Sequence, residues 1–166
     1  NKQKKQYENV QKNELLNPKF ESVDEKNQPF TITADTAIQN DQNKDLLMLT
    51  NPHGILLLNS NKRVTIASEE GFYQQEQQKL RLKDAVHLTH DDGYNMTMAE
   101  LFVDMQNSIA HSETPVTGAG PQGTLRANGL KADHANNTIT FTGPARLVIQ
   151  DMALMDGLSG SGKQGE

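Results

Sequence analysis

Apolar and polar residues alternate along most of this chain with a period of two. In the first clear strand Phe30, Ile32 and Ala34 are apolar or small, and the residues between them are polar. This is the pattern of a strand with one buried face. The same alternation returns at 45–50, 79–84 and 137–143. No segment sustains the period of an amphipathic helix, and the best helical candidate, 99–105, runs on into another alternating segment. The pattern predicts an all-β protein.

A four-residue signature recurs between residues 30 and 150. It consists of a small residue, an acidic or amide residue, a variable residue, and a small or apolar residue. The four copies are 34–37, 68–71, 99–102 and 127–130, with starts 34, 31 and 28 residues apart. Three copies have an apolar residue two positions before the signature, whereas the third has Thr97. This departure predicts a bulge or a register shift near Thr97.

A repeat of about 30 residues made of paired strands predicts a stacked β architecture. Each unit has one apolar face that it cannot bury alone, and stacking aligns these faces into one interior. The expected fold is therefore a twisted antiparallel β-jelly roll, or open β-sandwich, of stacked repeats. Its ends would expose unpaired strand edges, which are a hazard unless they serve as docking surfaces.

The composition divides the chain into three expected segments. Residues 1–16 are polar and rich in Lys and Gln, which is typical of a flexible tether, and 17–150 hold the strand pattern. Residues 151–166 are rich in Gly and Ser and are expected to form a flexible tail. The chain begins at Asn1 rather than Met, so we expect that a signal peptide or a membrane anchor precedes it in the full protein.

Charge and composition exclude several function classes. The 166 residues correspond to one domain, and 16 basic against 21 acidic residues give a net charge of −5. Nucleic acid is therefore not an expected partner. The chain has no Cys, which excludes disulfides, thiolate zinc sites and thiol nucleophiles. No apolar run approaches the roughly 18 residues that span a bilayer.

Two segments resemble a metal site and a phosphate-binding loop, but neither has the residues or the spacing that such a site needs. His87 and His90 stand beside two aspartates, but residues three apart on a strand face opposite sides, so no metal site is expected. The segment 157–163 (GLSGSGK) approaches a phosphate-binding loop, but Gln164 replaces the Ser or Thr that would hold magnesium. The acidic residue of each repeat is better explained as a turn cap. We therefore expect no catalytic residue, no metal and no cofactor.

The opening strands resemble those of a known family. NPKFESVDEKNQPFTITAD at 17–35 resembles the N-terminal signature of the LptC family of lipopolysaccharide transport proteins, and DLLMLTNPHGILL at 45–57 resembles its next strand pair. The resemblance extends over about residues 15–150. The related bridge protein LptA shares the repeat, but the opening signature favours LptC.

The resemblance implies a jelly roll whose apolar interior holds the acyl chains of lipopolysaccharide. The residues expected to line this interior are Ile32, Leu47, Leu49, Ile66, Leu82, Met98, Leu125 and Phe141. It also implies a periplasmic domain that is anchored to the inner membrane of a Gram-negative bacterium. A lipid with several acyl chains needs a continuous apolar surface, because each buried methylene contributes about 0.8 kcal/mol.

Two partners are implied at the two ends of the domain. The N-terminal edge, with Pro18 and Phe20, would face the inner-membrane ABC transporter that supplies lipopolysaccharide. The C-terminal edge, with Leu147, Val148 and Ile149, would pair with LptA by edge-strand addition. Two alternatives stay open from the sequence: a soluble LptA-like bridge protein, and a structural β-scaffold that binds no ligand and has a fully packed interior.

Overall fold

The computed structural model describes residues 13–121, 123–133 and 138–149, and in them it contains 16 β-strands and no helix. The all-β prediction is confirmed. The strands of the first half are β1 (Glu14–Leu16), β2 (Lys19–Val23), β3 (Pro29–Thr33), β4 (Thr36–Gln39), β5 (Leu46–Thr50), β6 (His53–Leu57), β7 (Arg63–Ala67) and β8 (Glu70–Gln74). Those of the second half are β9 (Lys79–His90), β10 (Tyr94–Asp104), β11 (Ile109–Ser112), β12 (Val116–Gly120), β13 (Gly123–Ala127), β14 (Gly129–Asp133), β15 (Thr138–Thr142) and β16 (Arg146–Ile149).

All 16 strands belong to one open antiparallel sheet. Its two longest strands, β9 and β10, each pair with two different groups of neighbours. Residues 79–83 of β9 pair with β8, whereas residues 87–90 pair with β7. In the same way, one half of β10 pairs with β12 and the other half with β11. The two long strands therefore join two groups of shorter strands.

We call these groups the front wing and the back wing. The front wing contains β1, β4, β5, β8, β11, β14, β15, the first half of β9 and the second half of β10. The back wing contains β2, β3, β6, β7, β12, β13, β16 and the other halves of β9 and β10. Buried side chains of both wings form one hydrophobic cluster, and the rings of Phe20 (back) and Tyr73 (front) lie 5.2 Å apart. The sheet thus forms an open sandwich, as the repeats predicted.

The chain crosses from one wing to the other along one side of the sandwich, which we call the spine. Backbone hydrogen bonds link successive crossings: the amide of Asn17 donates to the carbonyl of Asp35, Asn51 donates to Glu69, and Glu69 donates to Asp84. These crossings lie 15 to 18 residues apart, so each repeat of about 30 residues holds one hairpin in each wing. Each of the four signatures lies at a crossing.

The residue types at the spine explain why the chain turns there. Asn17 and Asn51 have φ of 51°, and Asp84 has φ of 68°. Asn and Asp tolerate this left-handed conformation better than most residues because their short side chains bond to the local backbone. Asn51 Nδ2 also donates to Asp35 Oδ2 at 2.8 Å, which joins two adjacent crossings.

The third signature differs from the others in the predicted way. The register between β9 and β10 shifts between Met98 and Glu100, which confirms the irregularity expected near Thr97. The helical candidate at 99–105 is part of β10 as far as Asp104. Ala99 of β10 lies opposite two residues of β9, Asp84 and Ala85, so the extra residue belongs to β9 and lies where the paired strands pass from one wing to the other.

The sheet begins before the expected start of the β domain. Strand β1 pairs with β4, so residues 14–16 of the segment expected to be a tether take part in the sheet. Residues 1–12 and the predicted tail at 151–166 lie outside the described residues. The described part of the chain has no helix long and apolar enough to cross a membrane.

Candidate functional site

Cross-strand neighbours on the inner face form continuous rows of apolar side chains. Residues that pair directly in an antiparallel sheet point to the same face. In the front wing, one row of successive partners runs through Leu15, Ala37, Leu49, Gly71, Leu82 and Leu101. In the back wing, a row runs through Phe20, Ile32, Gly54, Ile66, Leu88, Met96, Gly118 and Leu125. Neither row contains a charged residue.

The structure places all eight side chains predicted to line the interior on this inner face. Ile32, Leu47, Leu49, Ile66, Leu82 and Met98 are buried in the common cluster. Leu125 and Phe141 are half-buried. Phe141 pairs with the buried Leu130, so it extends the inner face of the front wing towards the C-terminal end.

The interior is closed in its middle and open at its ends. Leu49 in the middle of the front row has no exposed surface, whereas Leu15 at the N-terminal end of the same row is 51% exposed. Phe141 at the opposite end is also partly exposed. Leu15 is a candidate that sequence reasoning missed, because a strand of three residues is too short to show an alternating pattern.

The middle of the interior is filled by its own side chains. Two surface hollows lie outside the space between the wings. One, of about 410 Å³, lies beside the turn residues Lys44 and Glu76. The other, of about 680 Å³, lies on the outer face of the front wing around Phe72 and Phe102. The wings must therefore separate before an acyl chain reaches the middle.

Opposite the spine lies the side on which the hairpin turns of both wings are found, which we call the mouth. Here Asp24 Oδ2, in the β2–β3 turn of the back wing, accepts a hydrogen bond of 3.0 Å from Ser108 Oγ in the β10–β11 turn of the front wing. We call this contact the latch. It joins residues 84 positions apart in the sequence and connects the two wings across the mouth.

The carboxylate of the latch is held in place by its own turn. Asp24 accepts hydrogen bonds from the backbone amides of Lys26 (2.9 Å) and Gln28 (2.8 Å), and from Gln28 Nε2 (2.7 Å). Gln28 Oε1 in turn accepts from the amide of Asn59 at 2.9 Å. Burial raises the pKa of Asp24, but the hydrogen bonds from Gln28, Lys26 and Ser108 outweigh this effect, so its pKa lies below the ordinary value.

The predicted partner residues occupy different positions at the two ends. Pro18 is buried at a spine crossing, and Phe20 points inward against Tyr73, so these side chains belong to the core. At the C-terminal end, β16 pairs with β13 alone among the described strands. The side chains of Leu147, Val148 and Ile149 lie outside what the structure describes.

Two basic residues near the mouth are paired with acids. Lys62 Nζ donates to Asp92 at 2.5 Å, and Arg63 Nε lies 3.5 Å from Asp91 Oδ2. The hydrogen bond to Asp92 raises the pKa of Lys62.

In the described part of the chain, no three His, Asp or Glu side chains cluster in a way suited to a metal ion.

Comparison with known families identifies the sheet. A family model described as "Lipopolysaccharide-assembly, LptC-related" matches residues 38–150, which is more than half of the 166-residue chain. The chain belongs to the LptC family. The resemblance inferred from the strand pattern is thereby confirmed, although the opening signature at 17–35 precedes the matched segment. No individual curated protein aligns significantly with the chain.

Membership of the LptC family gives the apolar interior a biological context. The family functions in lipopolysaccharide assembly and transport, and it is a family of transport components rather than of enzymes. Its members work with other components of lipopolysaccharide transport, in the periplasm. The inner rows are accordingly the candidate site of this protein.

Proposed function

We propose that the inner face of the sandwich binds the acyl chains of lipopolysaccharide and passes the lipid between two partners. The protein would receive lipopolysaccharide from the inner-membrane ABC transporter at its N-terminal end and deliver it to LptA at its C-terminal end. This role belongs in the periplasm, with the protein anchored at the inner membrane. The observation that carries the proposal is an uncharged inner face in the front wing, with the exposed Leu15 at its N-terminal end and the half-buried Phe141 at its C-terminal end.

The two exposed ends are what a transfer function requires. Leu15 and Phe141 belong to the inner face of one wing, and each reaches solvent at an end of the stack. A partner that adds its own strands there would cover these side chains and extend the apolar surface beyond the protein. Acyl chains would then move along one apolar surface, with about 0.8 kcal/mol for each buried methylene.

The open strand edges provide a means of docking. At the N-terminal end β1 pairs with β4 alone and β2 with β3 alone, and at the C-terminal end β15 and β16 each have one partner among the described strands. Unpaired backbone groups on such strands favour addition of a strand from another chain. Docking at both wings of one end would align the partner's interior with this one.

The packed middle favours a second candidate, a structural scaffold that connects periplasmic partners without holding lipid. A soluble LptA-like bridge protein is a further alternative that would use the same interior. The first candidate differs from the scaffold in one observable property, because only a lipid-binding protein brings lipopolysaccharide into contact with inner side chains.

Photo-crosslinking tests the proposal directly. A photoreactive amino acid is placed at Leu49 or Phe141 on the inner face, and at Thr33 as the control, and each variant is mixed with lipopolysaccharide and irradiated. Thr33 lies on the outer face of the back wing, where its hydroxyl approaches the carbonyl of His53. We expect capture at the inner positions and none at Thr33. Equal capture from both faces contradicts the proposal, and no capture at any position favours the scaffold.

A further inference from the structure

We propose that the β2–β3 hairpin is a gate over the middle of the interior, held closed by the Asp24–Ser108 latch. This inference rests on the proposed lipid-binding function and adds the route by which lipid reaches the middle. When the latch is closed, lipid contacts only the exposed ends of the interior. When it opens, the mouth admits acyl chains to the middle.

The need for a gate follows from the packing of the interior. Leu49 and Ile32 have no exposed surface and pack in one cluster of buried side chains from both wings. A protein interior packed to this degree does not admit a chain of methylenes without displacement of an element. Some part of the structure must therefore move before lipid touches these residues.

The β2–β3 hairpin is the element best placed to move. Strand β2 lies at an edge of the sheet and pairs with β3 alone, so on its other side no strand among the described ones restrains it. Edge elements with few neighbours open at a lower free energy than central strands. The hairpin also carries two contacts to the front wing, the latch at its turn and the ring contact between Phe20 and Tyr73.

The chemistry of the latch makes its opening reversible. When Ser108 withdraws, Asp24 keeps the three hydrogen bonds from the backbone of Lys26 and from Gln28, so its carboxylate is not left without partners. The turn therefore keeps its conformation in the open state. Of the hydrogen bonds of Asp24, only the one from Ser108 is exchanged for bonds to water, so the hydrogen bonding of the turn adds little to the free energy of opening.

A disulfide across the mouth tests the gate. The natural chain has no cysteine, so the double variant Asp24→Cys/Ser108→Cys contains one thiol pair, and a photoreactive group is placed at Leu49 or at Phe141. With the disulfide formed, we expect capture of lipopolysaccharide at Leu49 to fall at least about tenfold, while capture at Phe141 persists. Reduction should restore capture at Leu49.

A second variant covers the case in which the cysteine pair does not fold or does not oxidise. Ser108→Ala removes the hydroxyl and keeps a Cβ at a residue with φ of 57°, so the backbone requirement is unchanged. We expect capture at Leu49 to increase several-fold at short labelling times, with no change at Phe141. The matched control is Thr36→Ala, which removes a hydroxyl pair with Thr50 (2.9 Å) on the outer face of a single wing.

The outcomes separate the gate from the lipid-binding function. Capture at Leu49 that is equal in the oxidised and reduced pair overturns the gate, as does a Ser108→Ala variant that behaves like Thr36→Ala. Capture at Phe141 without capture at Leu49 in any state also overturns the gate and leaves lipid binding at the end intact. No capture at either position in any state overturns the proposed function itself.

Discussion

The middle of the interior and its two ends are built from the same kind of side chain but meet different surroundings. Leu49 and Leu15 belong to one row of the front wing, yet Leu49 has no exposed surface and Leu15 is 51% exposed. A middle residue has a neighbouring strand on each side and the other wing above it, whereas a residue on a terminal strand has a described neighbouring strand on one side only. In a stack of strands, position decides whether an apolar residue is core or an accessible apolar surface.

The largest expected effect comes from truncating one residue of each kind. Leu49→Ala leaves a cavity in a closed region and should lower the free energy of unfolding by about 2–5 kcal/mol. Phe141→Ala removes a larger side chain, but one that is only half-buried. Its loss in free energy of unfolding should be about half that of Leu49→Ala or less, because part of the Phe141 surface already contacts water. Urea unfolding of both variants measures the difference. Equal losses would show that the C-terminal end is packed as tightly as the middle.

The pH dependence of stability should report on the latch, with a smaller effect. The pKa of Asp24 is depressed in the folded protein, so this residue contributes stability above its unfolded value near 3.8. That contribution is lost as the pH falls through the lower folded pKa. We expect Asp24→Asn to lower the free energy of unfolding by about 1–3 kcal/mol at pH 7, because a buried hydrogen-bond acceptor is replaced. In acid, the stability of the variant should be closer to that of wild type.

Thermal unfolding of wild type and Asp24→Asn between pH 7 and pH 2 measures this contribution. The difference between the two proteins should shrink as the pH decreases. A difference that stays constant over the whole range would mean that the ionised carboxylate of Asp24 does not stabilise the closed mouth. The latch would then not explain why the middle of the interior is less accessible than its ends.

The smallest effect is expected on the outer face. Arg81 forms an ion pair with Glu100 and lies 5.7 Å from the ring centre of Phe72 and 5.6 Å from that of Phe102. Exposed pairs and cation–π contacts of this kind contribute about 1 kcal/mol or less each. Arg81→Ala should therefore lower stability by about 1 kcal/mol and leave photo-capture at Leu49 and Phe141 unchanged. A loss of capture would mean that the outer face also takes part in lipid binding.

Particular residues show how far sequence reasoning reached. The alternation around Ile32 and Leu49 predicted which side chains face inward, because a period of two fixes the face of every residue once one is known. The departure at Thr97 predicted an irregularity in the register, which the structure shows between Met98 and Glu100 with the extra residue on the paired strand β9. Leu15 was assigned to a tether, because three residues carry too little pattern to compete with polar neighbours.

The prediction that Pro18 and Phe20 face a docking edge shows another limit of sequence patterns, because it depends on the direction of two side chains. Both residues lie near the edge strand β2, but their side chains turn into the core. Nearness in the sequence to an edge does not tell which way a side chain points. The proposed docking at this end would use the backbone of β1 and β2, each of which has one partner among the described strands.

Local pattern alone specified most of the strands and their inner faces, because these depend on the alternation of side chains along each strand. Only the tertiary structure decided which apolar residues are sealed and which are accessible, since this depends on strands far apart in the sequence. The latch is the clearest case. Asp24 and Ser108 are unremarkable as sequence, and the folding of two wings onto each other brings them within 3.0 Å.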